Sequence, residues 1–135
     1  MTIKETSEMI AGMSPVLMDG TWSYCFEPDV RKAAELTPRA FAIMREAEGV
    51  TLILPSEIAA AQGYDTTVRM RQITLNVFSD LEGIGLTAAV ARALTDAGIS
   101  CNVVAAYHHD HVFVPASDAD RALAALIAAQ EKAAG

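Results

Sequence analysis

The feature that most constrains this chain is that it overlays on itself. Shifted by 60 residues, AIMREAEGVTLILPSEIAAA (42–61) falls on NVVAAYHHDHVFVPASDADR (102–121), with Pro55 on Pro115. Both segments read strand, polar turn, strand, proline, capped helix. A unit that recurs must solve the same burial problem twice, so the two halves are expected to share one topology. The strands ahead of them, SYCF (23–26) and LNVF (75–78), correspond at a spacing nearer 52, which makes the first copy the shorter one. Only Glu27–Arg39 remain there between the first and second strands, and Pro28 and Pro38 leave room for little helix.

Local signals fill in the elements. VLMDGTWSYCF (16–26) places Asp-Gly between apolar and aromatic residues, a hairpin signal. AFAIMREAEGVTLILP reads as two strands joined near Glu48-Gly49, and SEIAAAQG as a short helix with Ser56 at its N-cap. In RQITLNVFS, Ile73, Leu75 and Val77 share one face of a strand. Leu86, Val90, Ala93, Leu94 and Ala97 recur at helical spacing, with Gly98 as the stop. The last helix is expected to open at Ser117 and Asp120 as a capping box and to bury Leu123, Leu126 and Ile127. Trp22 and Tyr24 alternate on one strand and are expected to pack in the core. Met9, Met13 and Met18 are expected to fill space against a sheet.

Each copy therefore lays a small antiparallel sheet beneath helices on one face. The fold class is α+β, a ferredoxin-like βαββαβ sandwich in two tandem units, residues 1–66 and 67–135. At 135 residues the chain buries a core without staples. Cys25 and Cys101 are too few for a disulfide framework and read as reduced cysteines of a cytoplasmic protein. A net charge of −7 with scattered basic residues argues against nucleic acid and anionic membrane as partners. No apolar run has membrane-spanning length.

The second copy, ITLNVFSDLEGIGLTAAVARALTDAGISCNVVAAYHHDHVFVP, resembles the ACT domain. Asp80, Gly83, Gly85, Leu86, Gly98, Ile99 and Asn102 follow that family's order and spacing. Where many ACT loops carry Pro-Gly, this one has Glu82-Gly83. REAEGVTLILP and YHHDHVFVP are similar to segments of small bacterial proteins made of two ACT units alone. The resemblance implies regulation rather than chemistry: an amino-acid-like effector, no cofactor, and association as a homodimer or homo-tetramer. It also implies a site in the loop after the first strand and the start of the next helix, with Asn102 on the following strand.

The residues of that loop support the implication physically. In SDLEGIGLTAA, Gly83 and Gly85 let backbone amides approach a ligand closely. The helix start presents unpaired N–H groups and partial positive charge, which suit an α-carboxylate. Asp80 and Glu82 can accept from an α-ammonium. The candidate binding set is thus Asp80, Glu82, Gly83, Ile84, Gly85, Leu86 and Thr87, with Asn102. The plainer alternative is a tight strand-to-helix turn that binds nothing.

AAYHHDHVFVP (105–115) holds all three histidines. A turn at His109-Asp110 would set His108 and His111 face to face, and with Asp110 they could hold a divalent ion. A turn one residue away would put the two histidines on opposite faces. The alternatives to effector binding are therefore a metal-dependent protein using His108, Asp110 and His111, or a purely structural interaction module. No catalytic constellation is evident, so no enzymatic activity is expected.

Overall fold

The computed structural model describes residues 3–77 and 84–135. In chain order the elements are α1 (Ile3–Ala11), β1 (Pro15–Leu17), β2 (Trp22–Glu27), α2 (Val30–Leu36), β3 (Ala42–Glu46), β4 (Gly49–Pro55), α3 (Ser56–Ala61), β5 (Met70–Leu75), α4 (Leu86–Asp96), β6 (Asn102–Ala105), β7 (Asp110–Pro115) and α5 (Ala119–Ala134). They form two compact units, Gly20–Met70 and the combination of Met1–Asp19 with Arg71–Gly135. Among the described residues no helix is long and apolar enough to cross a membrane.

In the Gly20–Met70 unit the strand order is β3-β4-β2, all antiparallel, and Met70 pairs with Trp22 on the far side of β2. That is the 4-1-3-2 order of a βαββαβ unit. Cys25, Leu52 and Leu54 on one face of its sheet share a core with Ala33 and Leu36 of α2 and Ala59 of α3. The β3–β4 connection is a two-residue turn at Ala47-Glu48, as the sequence suggests. The segment after β2 holds more helix than its prolines predicted. Asp29 caps α2 by accepting from Arg31 N at 2.9 Å, and Pro38 falls in the 3₁₀ turn Thr37–Arg39 beyond the helix end. A carboxylate cap lets two turns form in the space between the prolines.

Two expectations fail in this unit. Ser56 is not a cap: its hydroxyl meets Ser23 Oγ at 2.9 Å in the interior, and the position before α3 is Pro55. Nor does the aromatic face of β2 enter the helix-side core. Ser23, Cys25 and Glu27 point inward, leaving Tyr24 37% and Phe26 46% exposed on the opposite face. Trp22 lies on that face with its ring edge-on to Phe41 at 5.6 Å.

The other unit repeats the frame with a contribution from the N-terminus. Its order is β1-β5-β7-β6, again 4-1-3-2, with Pro15–Leu17 as the fourth strand. The Asp-Gly hairpin reading of 16–26 is therefore corrected. β1 pairs with β5 (Val16 opposite Thr74), Met18 N donates to Gln72 O at 2.8 Å, and β2 pairs with β4. Asp19-Gly20, with Gly20 at φ +88°, is instead where the chain passes from one unit to the other. The pairing partner lies nearly sixty residues downstream, and a local turn signal carries no information about it.

Helices α1, α4 and α5 cover one face of this sheet. Ile73, Leu75, Val112 and Val114 meet Leu86, Val90 and Leu94 of α4, Ala122 and Leu126 of α5, and Met9 and Met13. Gly98, at φ +74°, ends α4 as expected. Met18, in contrast, is 40% exposed. The final helix starts two residues later than the capping-box reading. Ala116–Asp118 form a 3₁₀ turn, Ser117 makes no cap, and Asp118 pairs with Arg121 at 3.1 Å. Leu126 is fully buried, whereas Ile127 is 39% exposed.

Candidate functional site

The N-terminus of α4 is built from a left-handed glycine. Gly85 sits at φ +105° and ψ −24°, and its carbonyl accepts the first helical bond, from Ala89 N at 2.9 Å. The amides of Leu86, Thr87 and Ala88 precede that bond and have no partner within the helix. Among the described residues no side chain caps them. Leu86 is buried and pins the turn to the core, while Ile84 is 67% exposed and Thr87 is exposed. From α1, Thr6 Oγ1 donates to Ile84 O at 3.0 Å, and a Cβ on Gly85 would stand 2.5 Å from Thr6 Cγ2. Glycine is thus required twice over, by conformation and by space. Asp80, Glu82 and Gly83 lie outside the described residues.

The equivalent helix start in the other unit is closed by its own side chains. Asp29 caps α2, and the buried Glu27 carboxylate before it is fully engaged. Its Oε2 accepts from Asp29 N at 2.9 Å, and its Oε1 accepts from Tyr64 OH at 2.6 Å with Lys32 Nζ at 3.6 Å. The Tyr64 bond, then the Asp29 amide, hold the Glu27 carboxyl below its ordinary range against the opposing effect of burial. Burial, then the bond to Glu27, pushes the Tyr64 hydroxyl well above the usual tyrosine value. Two helix starts of the same topology therefore differ: Asp29 caps α2, and among the described residues no side chain caps α4.

Asn102 is not brought to this end. It opens β6 opposite Phe113, three residues from Ala105 and so about 10 Å along the strand from the hairpin end. That end is the one beside the α4 connection, because His109 Nδ1 lies 3.3 Å from Val77 O.

The histidine hairpin turns at Tyr107-His108, with Ala106 N donating to His109 O at 3.0 Å and Val104 opposite His111. His108 therefore sits in the turn, its ring edge-on to Tyr107, and does not face His111 across the strands. His111 and Asp110 are consecutive in β7 and lie on opposite faces. His111 Nδ1 is 3.0 Å from Thr74 Oγ1 and 3.3 Å from Gln72 Nε2. Burial, then the nearby His109, pulls the His111 imidazole below its usual value, with Asp110 opposing. The metal alternative is corrected on this geometry: among the described residues no group of three His, Cys, Asp or Glu could hold an ion.

A cavity of about 700 Å³ lies against α4 and α5, lined largely by Ala89, Ala93, Ala97, Ala125 and Ala129 with Ile10. Arg92, Asp96 and Lys132 also line it, so the cavity carries charged groups beside its methyl surface.

Residue pattern alone missed three participants: Thr6, the Glu27–Tyr64 pair, and the burial of Asp110. Only the last had a signal. The 60-residue overlay places Asp110 on Val50, and an acid on an apolar position of a repeat marks a local departure.

Residues 67–128 match a family model described as ACT domain, and residues 2–71 match a second with the same description. Among solved structures, the chain is similar to a Vibrio cholerae protein of unknown function described as a possible transport protein. The identity is 39% and the TM-score 0.84, covering 95% of this chain and 98% of that one. It is also similar to an Agrobacterium tumefaciens protein, at 15% identity and a TM-score of 0.65, covering 86% and 87% of the two chains. The regulatory subunit of aspartate kinase from Thermus flavus follows at 14% identity and 0.59, covering 85% and 95%. The last two likenesses concern the fold alone. No curated protein matches.

Proposed function

The chain belongs to the ACT-domain family, and on that premise we propose that it is a non-enzymatic regulatory protein that binds a small amino-acid-like effector at the start of α4. One observation carries the reading: α2 is capped by Asp29, whereas α4 begins at a left-handed glycine with no side-chain cap among the described residues. An α-carboxylate placed there accepts from the amides of Leu86 and Thr87 and gains from the helix dipole. Asp80 and Glu82, from the sequence, are the proposed acceptors for the ammonium, with Gly83 and Ile84 completing the loop. Asn102 of the same chain stands too far along β6 to join them.

Association as a homodimer or homo-tetramer belongs to the same proposal, supported by the side-by-side exposure of Tyr24 and Phe26; sedimentation equilibrium reads it directly. The effector reading is tested by a thermal-shift screen of the full chain against the twenty common L-amino acids at millimolar concentration. At least one is expected to raise the melting temperature, and a screen with no response removes the effector from the account.

A further inference from the structure

Helix α1 is additional to the βαββαβ frame. The Gly20–Met70 unit opens directly on β2, and its helix start is capped from within by Asp29. In the other unit α1 brings Met9 and Met13 to the core, and Thr6 falls on the same helical stripe, one turn ahead of Met9. Burial along that stripe is served by any apolar side chain, and valine has the shape of threonine. What valine lacks is the hydroxyl, and here the hydroxyl donates to Ile84 O at 3.0 Å, across 78 residues of chain.

That bond fixes more than a carbonyl. The peptide joining Ile84 to Gly85 is trans, so the Gly85 N–H points opposite to the Ile84 C=O and away from Thr6. Gly85 is left-handed, at φ +105°, and Leu86 after it is helical. A left-handed residue beside a right-handed one turns successive N–H groups toward one concave point, a geometry that suits an anion. The amides of Gly85, Leu86 and Thr87 thus share an orientation that Thr6 holds through a single peptide plane. A side-chain oxygen bonded to those amides would cap α4, as Asp29 caps α2; the Thr6 hydroxyl takes the carbonyl ahead of them instead.

We propose that Thr6 is a positioning residue for the effector site: its hydroxyl orients the Ile84–Gly85 peptide so that the Gly85 amide joins those of Leu86 and Thr87 around the effector's carboxylate. This rests on the function proposed above and deepens it, adding a donor to the site and making the site depend on α1. Effector binding and the docking of α1 then favour the same turn, so each strengthens the other.

The test titrates the full-length wild type, Thr6→Val and Thr6→Ser calorimetrically with each of the twenty common L-amino acids. Valine keeps the shape and removes the donor, whereas serine keeps the donor. For an amino acid that binds the wild type, Thr6→Val should bind about threefold to tenfold more weakly, the range set by one neutral hydrogen bond, and Thr6→Ser within about twofold of wild type. Hydrogen exchange gives a second readout that a merely structural bond would not move. Saturating the wild type with that amino acid should slow exchange of the α1 amides, and the same saturation should slow it less in Thr6→Val.

If an amino acid binds the wild type and Thr6→Val matches its affinity, Thr6 has no part in the site while the effector reading stands. If Thr6→Ser loses as much as Thr6→Val, packing of the methyl group is what matters and the assignment is overturned. Unchanged exchange of α1 at saturation overturns it too, as does a Thr6→Val chain that fails to fold, since the bond is then structural. If no amino acid binds the wild type, the effector reading falls and this assignment with it.

Discussion

Replacing Gly85 by alanine probes the turn on which the candidate site is built. Gly85 lies at φ +105°, where a side chain costs about 1–2 kcal/mol of backbone strain. The new Cβ would also stand 2.5 Å from Thr6 Cγ2. Thr6 can rotate away only by surrendering its bond to Ile84 O, worth about 1 kcal/mol; otherwise α1 shifts, at about 1–3 kcal/mol. The combined loss is about 2–5 kcal/mol. For a chain of 135 residues the unfolding entropy is about 0.28 kcal/mol per kelvin, so the melting temperature should fall by about 7–18 °C. Scanning calorimetry reads this directly. In a Thr6→Ala background the steric part disappears, and Gly85→Ala should cost only the backbone strain, a coupling of about 1–3 kcal/mol. A Gly85→Ala protein melting within about 2 °C of wild type would refute the claim that close packing of α1 fixes the start of α4.

Four further outcomes follow from the same geometry. Met13→Ala, at a position 1% exposed, should cost about 2–5 kcal/mol in urea unfolding, because the N-terminal segment belongs to a core rather than a tail. A fragment of residues 67–135 lacks β1 and α1 and should lack cooperative melting, whereas a permuted chain joining 71–135 through a linker to 1–19 should melt cooperatively. Glu27 in the folded chain keeps its charge below the ordinary carboxyl value of 4.5, so its contribution is present above that pH and is lost as pH falls beneath it. Glu27→Gln should flatten this acid limb in melting curves taken between pH 3 and 6. His111 is likewise shifted below 6.5, so the unfolded chain takes up the proton first and stability declines as pH drops under that value. Proton NMR of the imidazole should find its titration midpoint below 6.5.

Much of the frame was legible because it rests on short-range alternation. Ile73 and Leu75, Leu52 and Leu54, and Leu86, Val90 and Leu94 all face the cores that their spacing implies. The partner of β1 was hidden because a three-residue strand carries little pattern and its pairing depends on distant chain. The orientation of the hairpin histidines turned on a single-residue choice, and with a period of two that choice decides which face each side chain occupies. In the site, the glycine at the head of α4 was readable from composition and order. The role of Thr6 was not, since nothing in MTIKETSEMI announces a contact with Ile84. Asp110 looked like part of a polar turn because it adjoins three histidines, yet the strand begins at that residue and carries it inside.

The most direct measurement is a nitrogen–proton correlation spectrum of the uniformly labelled chain, titrated with whichever amino acid stabilises it most. Saturable shifts should concentrate on the amides of Gly85, Leu86 and Thr87, with the matching amides at Val30 and Arg31 of α2 unmoved. Saturable shifts that leave Gly85–Thr87 untouched would contradict the account.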